Sequence, residues 1–268
     1  MNFRTKSLIQ WVISILPYSH VLNRFMQIHV SRSLPIKDSE LDARKDIAYQ
    51  HLKGYFDVHG KWPTNILDIG AGSDLALPIL LAAEGSAVTA SDINRLATKA
   101  LVDDILCRTG HTSLEESNVT YVVYSPPLLP FSDGEFDLIT STSVLEHVPA
   151  DQLPILLSEL RRVLKPDGIC SHHIAHKDHW SDTDPSLHSM NYVRYDAVQW
   201  ARFNPPVMFQ NRVLHGEYSA LFASAGFRFD VTTTVCDTPP AVVAPQFCRF
   251  SADDLVTTHS WYTCRIAT

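Results

Sequence analysis

Residues 65–74 read Asn65-Ile-Leu-Asp68-Ile-Gly70-Ala-Gly72-Ser-Asp74, and this stretch decides the fold class. The run Asn65–Gly70 is short, apolar and closed by glycine, as a strand buried on both faces of a parallel sheet would be. A second glycine follows two positions later. Glycines at that spacing let the backbone approach a ligand closely and point amides at the start of the next helix. That helix is expected over Leu75–Glu84, with Pro78 tolerated near its first turn.

Outward from this unit the pattern repeats. Ala87–Ser91 reads as a second strand, Asn94–Leu106 as a helix capped by Asn94, Val119–Tyr124 as a third strand and Phe136–Ser141 as a fourth. Ala150–Leu164 is an amphipathic helix stopped by the turn Lys165-Pro-Asp-Gly168, and Ile169–Ile174 is a fifth strand. Glu217–Ala225 reads as a helix ended by Gly226, before two last strands at Phe227–Thr234 and Ser260–Ile266. Strands alternating with helices imply right-handed crossovers and a mostly parallel sheet. The fold class is therefore α/β, a Rossmann-like seven-stranded, mostly parallel sheet with helices on both faces. Residues 1–60 read as a helical extension broken at Pro17 and Pro35. One domain spans 61–268, with the irregular, aromatic segment 176–214 inserted after strand five as a lid over the sheet's carboxyl edge.

Composition narrows the function classes. The chain has 268 residues, 45% hydrophobic and 19% charged, with a net charge of −7, which suits one globular domain with a sizeable core. That charge lacks the basic footprint of a nucleic-acid enzyme, so no nucleic-acid partner is expected. Five cysteines without a CxxC pair suggest neither a disulfide framework nor a zinc ribbon, and point to a reducing cytosol. The run Leu8–Leu16 follows Arg4 and Lys6 and ends at Pro17. It is about half of the roughly 20 residues a spanning helix needs, and no small-residue cleavage site follows it. Two readings stay open: an amphipathic helix packed on the domain, or a helix resting on a membrane surface with Trp11 at the interface, which makes the protein cytoplasmic or membrane-peripheral. Oligomeric state is not legible.

In an open α/β sheet, ligands bind beyond the carboxyl ends of the strands at the switch point. The loop Asp68–Asp74 lies there. A dinucleotide site wants a third glycine where Leu75 stands, which argues against a nicotinamide cofactor. Asp92, ending the second strand, is placed to accept hydrogen bonds from both ribose hydroxyls of a nucleoside.

The blocks DIGAG, SDIN, LPFSDGEFDLI, SVLEHV and LRRVLKPDGI occur in that order across residues 66–174. In this the chain resembles the class I S-adenosylmethionine (SAM)-dependent methyltransferases of the type 11 group. The resemblance implies a seven-stranded sheet with an antiparallel last strand, SAM as the methyl donor, and a donor site built from Asp68, Gly70, Gly72, Asp74, Asp92, Ile93, Ser125 and Ser141. Gly70 and Gly72 would line the methionine moiety, Asp92 the ribose and Asp68 the amino group. Two positions depart from the family pattern. Asp74 replaces a glycine, which would crowd the loop and add negative charge, and Ser125 replaces the acid that reads the adenine amine.

Methyl transfer is an in-line displacement, so the acceptor must be aligned and, if it is a hydroxyl, deprotonated. Candidates belong after strands four and five. Glu146 and His147 are adjacent and cannot point the same way on a helix; His147 is a candidate base and Glu146 an acceptor contact. A related E-x-x-E-H segment binds a metal in some quinone-biosynthesis relatives, but Ser143 replaces the first glutamate, so no metal is expected. His172, His173, His176 and His179 cluster after strand five, and His172 or His179 is a candidate base there. Arg212 is a candidate for an acceptor phosphate or carboxylate. Asn204-Pro-Pro-Val207 imitates an amine-methylation motif but lies in the insertion and reads as a loop. The lid sequence also resembles methyltransferases found among bacterial surface-polysaccharide genes. The expected acceptor is a small molecule or glycan precursor methylated at oxygen, with a protein or lipid-linked acceptor, or a non-catalytic SAM-binding scaffold, as alternatives.

Overall fold

The computed structural model describes residues 2–17, 19–29, 33–236 and 238–267. The strands are β1 (Asn65–Ile69), β2 (Ala87–Asp92), β3 (Val119–Val123), β4 (Phe136–Thr142), β5 (Leu164–Ala175), β6 (Phe227–Val235) and β7 (Thr257–Ile266). They form one sheet in the order β3-β2-β1-β4-β5-β7-β6. The first five are parallel, and β7 runs antiparallel between β5 and β6. The helices are α1 (Phe3–Ser14), α2 (Ser19–His29), α3 (Asp38–His59), α4 (Ala76–Leu81), α5 (Lys99–Thr109), α6 (Leu153–Val163), α7 (Ala197–Ala201), α8 (His215–Ser224) and α9 (Ala252–Val256).

Alternation along the strands divides the core in two. Ile66, Leu138 and Ile169 face α3, α4 and α5, while Leu67, Ile69, Ile139 and Cys170 face α6 and α8. Burial on both faces is why β1 and β4 read as continuous apolar runs. The insertion has its own core of Trp180, Met190, Tyr192 and Trp200, joined by Phe247 and by Phe3 of α1. In contrast, Leu41, Ala48, Leu52 and Tyr55 of α3 belong to the sheet's core. The extension that stands apart from the sheet therefore ends before α3, some twenty residues earlier than the boundary drawn at residue 60.

Two boundaries differ for local reasons. The helix expected from Asn94 begins at Lys99, because Asn94 N–H donates to Asp92 (3.2 Å) and the Tyr121 hydroxyl donates to the Asn94 carbonyl (3.1 Å), holding 93–98 as a loop. The turn Lys165–Gly168 is a bulge inside β5: the pairing with β4 jumps from Phe136↔Leu164 to Leu138↔Ile169.

Strand order reverses between β1 and its neighbours β2 and β4. That switch point opens a crevice between the loops following β1 and β4.

Candidate functional site

Two cavities occupy this crevice. One, about 490 Å³, is lined by Gly70, Gly72, Asp92, Ile93, Tyr124 and His147, among others. The other, about 560 Å³, is lined by Asp68, Gly70 through Asp74, Arg44 and Thr142. Both touch Gly70, Gly72, Ser73, Ser143 and Gln27, so they are lobes of one cleft folded around the glycine loop. Their size is that of a small-ligand site.

Gly70 has φ +74° and donates to the Ser91 carbonyl at 2.8 Å; a Cβ there would lie 2.4 Å from Val144 Cγ2. Gly72 has φ +79°, and a Cβ there would meet nothing within 4 Å. The first glycine is required by packing, the second leaves open space over the loop where a ligand can lie against backbone. The Gly72 amide points at the Asp92 carboxylate, 3.4 Å away. Asp68 is buried at the tip of β1, accepts from Thr140 Oγ1 at 2.7 Å, and is pushed up to about 7 by burial, against that bond and with help from Asp92. A buried carboxyl facing a lobe gains most from a cationic partner, and the amino group of an aminoacyl ligand is one. Strand-tip carboxylates at two depths, a glycine loop between them and room above Gly72 fit an adenosine joined to an amino acid.

Asp74 lines the cleft, but it neither crowds the loop nor adds free charge. Arg44 of α3 binds both its oxygens, at 2.7 and 2.9 Å, and one oxygen accepts the N–H of Ala76, the first residue of α4. Ser125 is exposed and absent from the lining of either lobe; Tyr124 lines the cleft in its stead. Ser141 is fully buried against His172, at 2.8 Å, and Ser143 lines both lobes, with a left-handed φ of +52°. Ile93 lines the first of the two lobes, beside Asp92.

Of the acceptor-side candidates, only His147 reaches the cleft. Its Nδ1–H donates to the Phe209 carbonyl at 2.7 Å, which leaves the Nε2 lone pair available. Burial pulls its pKa below the usual value, against the pull of that carbonyl, so the ring is neutral at pH 7. Glu146 turns inward from the same short turn: it is buried, accepts the Ala175 N–H at 3.3 Å and has one oxygen without a hydrogen bond. Burial raises it to about 8. It is therefore not an acceptor contact in this arrangement. His172 is no base either: it lies inside the core, stacked on Phe222 at 5.5 Å, and burial lowers it to about 3. His179 sits behind His147, with ring centres 5.0 Å apart, and lines neither lobe. Glu146, His147 and His179 bring one ligand atom each within 4.8 Å of one another, so among the described residues they are a group able to hold a cation. The absence of the first glutamate did not foretell this, because the third group comes from beyond β5.

Arg212 is not turned toward the cleft. Its guanidinium donates to the carbonyls of Tyr195 (2.9 Å) and Tyr192 (3.4 Å) between the rings of Trp200 and Phe247, locking the insertion's core. The neighbouring residues are also structural: Gln210 Nε2 donates to the Lys177 carbonyl, and Asn211 Nδ2 to those of Leu145 and Val148. The Asn204–Val207 loop, discounted from the sequence, supplies Pro206 and Val207 to the cleft wall beside Phe209. Arg44, Asn23, Gln27, Tyr124 and Phe209 were not foreseen, since nothing local marks them and only the fold brings them to the crevice.

Residues 67–171 match the family described as "Methyltransferase domain". An uncharacterized methyltransferase of Synechocystis is 34% identical over 104 residues, 39% of this chain and 43% of that one. A ubiquinone/menaquinone biosynthesis C-methyltransferase of Shewanella frigidimarina is 28% identical over 42% of this chain and 48% of its own length. A ubiquinone biosynthesis O-methyltransferase of Coxiella burnetii is 30% identical over 46% and 47%. The chain thus spans less than half the length of these relatives. The crystal structure of a Burkholderia thailandensis 1,6-didemethyltoxoflavin-N1-methyltransferase superposes with a TM-score of 0.54 at 17% identity, over 93% of this chain and 88% of that one. The segment 67–171, bearing the glycine loop, Asp68 and Asp92, is thus similar to a methyltransferase domain and lies within a seven-stranded sheet of the fold seen in the Burkholderia enzyme.

Proposed function

We propose that this protein transfers a methyl group from SAM to an oxygen of a small-molecule or glycan-precursor acceptor, with His147 as the proton acceptor. The observation that carries this reading is the free Nε2 of His147, fixed by the Phe209 carbonyl, on the same lobe as Gly70, Gly72 and Asp92. Asp92 would hold the ribose, the amides of the glycine loop the methionine part, and Asp68 the amino group. When bound, the donor's sulfonium supplies an electrophilic methyl carbon and a neutral thioether leaving group. His147 would take the hydroxyl proton as the C–O bond forms and the C–S bond breaks, leaving S-adenosylhomocysteine, the ether and an imidazolium. Glycan precursors come first among acceptors because the lid sequence resembles methyltransferases of bacterial surface-polysaccharide gene clusters. The scaffold alternative loses support, since Asp74 is paired with Arg44 and Ser125 lies off the cleft.

Calorimetric titration with SAM and S-adenosylhomocysteine, with NADH as control, tests the donor site. Methyl transfer to a panel of sugars and phenols tests the acceptor. Binding of both SAM ligands but not NADH, with turnover abolished in His147→Gln, is expected. A folded protein that binds neither ligand would falsify the reading.

A further inference from the structure

Helix α1 carries apolar side chains on both sides. Its protein-facing side buries Phe3 and Ile13 and adds polar contacts: Ser7 Oγ and Trp11 Nε1 both donate to the Arg202 carbonyl, at 3.3 and 3.0 Å, and Ser14 Oγ accepts the Val207 N–H at 3.4 Å. Trp11 is thus spent on the insertion and does not stand at an interface. The opposite side carries Leu8, Val12, Ile15 and Leu16 at helical spacing, with Leu8 67% and Ile15 76% exposed. Helix α2 repeats the arrangement. Asn23 and Gln27, four residues apart, line the cleft, and Val21 and Phe25, four apart on the other side, face outward, Val21 at 63% exposure. A helix packed on a protein in water normally keeps its outer side polar. Two adjoining helices that instead leave apolar side chains outward present apolar surface to the outside.

Charge identifies the occupant. Residues 1–37 hold five of the chain's 22 Lys and Arg and none of its 29 Asp and Glu, in a protein of net charge −7. The acids that come near α1 do so from its inner side: Asp184 accepts the Phe3 N–H at 3.3 Å, and Asp182 faces Lys6. A second copy meeting this surface through the same residues would bring no acid of 1–37 against the exposed Arg4. An anionic lipid headgroup layer brings the opposite charge over an apolar interior. None of the described helices is long and apolar enough to cross a membrane, so the contact would lie in the interface plane.

We propose that the outward face of α1 and α2 seats on an anionic bilayer surface, with Leu8, Val12, Ile15, Val21 and Phe25 in the headgroup–acyl boundary and the cleft mouth at Asn23 and Gln27 beside the lipid. This inference does not rest on the methyltransferase reading, and its test needs no methyl transfer.

The test is co-sedimentation of the full chain with phosphatidylcholine vesicles, with and without phosphatidylglycerol, across a salt series. Binding is expected to be roughly tenfold stronger to the anionic vesicles and to weaken with salt. Leu8→Ser/Val12→Ser/Ile15→Ser should abolish it, while Val198→Ser, an equally exposed apolar site on α7, should leave it unchanged. Arg4→Glu, which leaves the apolar stripe intact, should reduce binding to anionic vesicles alone and guards against a triple variant that fails to fold. Binding that ignores lipid charge, or survives the triple substitution in a folded protein, overturns the proposal. So does light scattering that shows a vesicle-indifferent dimer made monomeric by the triple variant, which would assign the face to a second copy.

Discussion

Gly70→Ala and Gly72→Ala change the same loop by one methyl each and should differ in kind. Both glycines sit at left-handed φ, +74° and +79°, where an alanine costs about 1–2 kcal/mol. At Gly70 the added Cβ also lies 2.4, 3.0 and 3.3 Å from Val144 Cγ2, Cγ1 and Cβ. Overpacking of that sort costs about 1–3 kcal/mol more, so Gly70→Ala should lose about 2–5 kcal/mol in all and Gly72→Ala about 1–2. Urea denaturation with a constant m-value reads both. The Val144 contact is isolated by adding Val144→Ala: in the cycle with Gly70→Ala the two changes should be non-additive, and with Gly72→Ala additive. The functional order should invert, with Gly72→Ala the less destabilised of the two but the more weakened in SAM binding, because its methyl enters the space over the loop. Equal destabilisation by the two alanines, or additivity of Gly70→Ala with Val144→Ala, would refute the packing argument.

Asp92→Ala should weaken SAM binding by about 1.5–3 kcal/mol through lost charge-assisted bonds, and calorimetry showing an unchanged Kd would move the ribose elsewhere. His147→Gln should lower turnover roughly 10²–10⁴-fold with SAM affinity intact; comparable turnover would leave it a wall residue. Arg44→Ala should destabilise by roughly 1–3 kcal/mol by stranding the Asp74 carboxylate, and Asp74→Asn in that background should recover part of the loss in a denaturant titration. On acidification, His172 and His176 (held near 3) and His173 and His179 (near 4) stay neutral in the fold but protonate near 6.5 when unfolded. Their stabilising contribution is therefore lost as pH falls below 6.5. Asp178, Asp68 and Glu146, raised to about 6, 7 and 8, act in the opposite sense, their contribution being lost as pH rises through those values. Burial also lowers His51, His147, His215 and His259, so the histidines outweigh the three carboxyls and stability falls between pH 6.5 and 5; an unfolding midpoint that stays level over that range would sink the account.

The strands and the glycine loop that lines the cleft were legible because they are written locally. A buried parallel strand must be apolar along its length, and a loop that hugs a ligand must have glycine, so Asn65–Gly72 and Asp92 announce themselves. What was not legible depends on partners far away in sequence. Asp74 read as a disruptive charge because its neutralising partner, Arg44, comes from another helix. Arg212 read as a ligand clamp because a guanidinium between two aromatic rings looks the same in sequence as one facing a phosphate. His172 Nδ1 and Ser141 Oγ bond one another across neighbouring strands, and strand alternation alone does not say which face meets the cleft. The Leu8–Leu16 run gave no sign that Ser7, Trp11 and Ser14 would find their acceptors and donors in the insertion and so leave Leu8, Val12 and Ile15 outward.

The orienting partner of His147 is a main-chain carbonyl, and this shapes how the site responds to mutation. No substitution of the Phe209 side chain deletes that acceptor, so the tautomer is indifferent to which amino acid occupies the position. Control passes to whatever fixes the path of the backbone. Asn204 and Gln210 do so by a reciprocal pair, Asn204 Oδ1 taking the Gln210 N–H at 2.8 Å and its Nδ2 giving to the Gln210 carbonyl at 3.0 Å. An amide side chain outside the cleft wall thereby governs which nitrogen of His147 carries its proton, and variation there would retune the histidine while every residue of the cleft wall stayed the same.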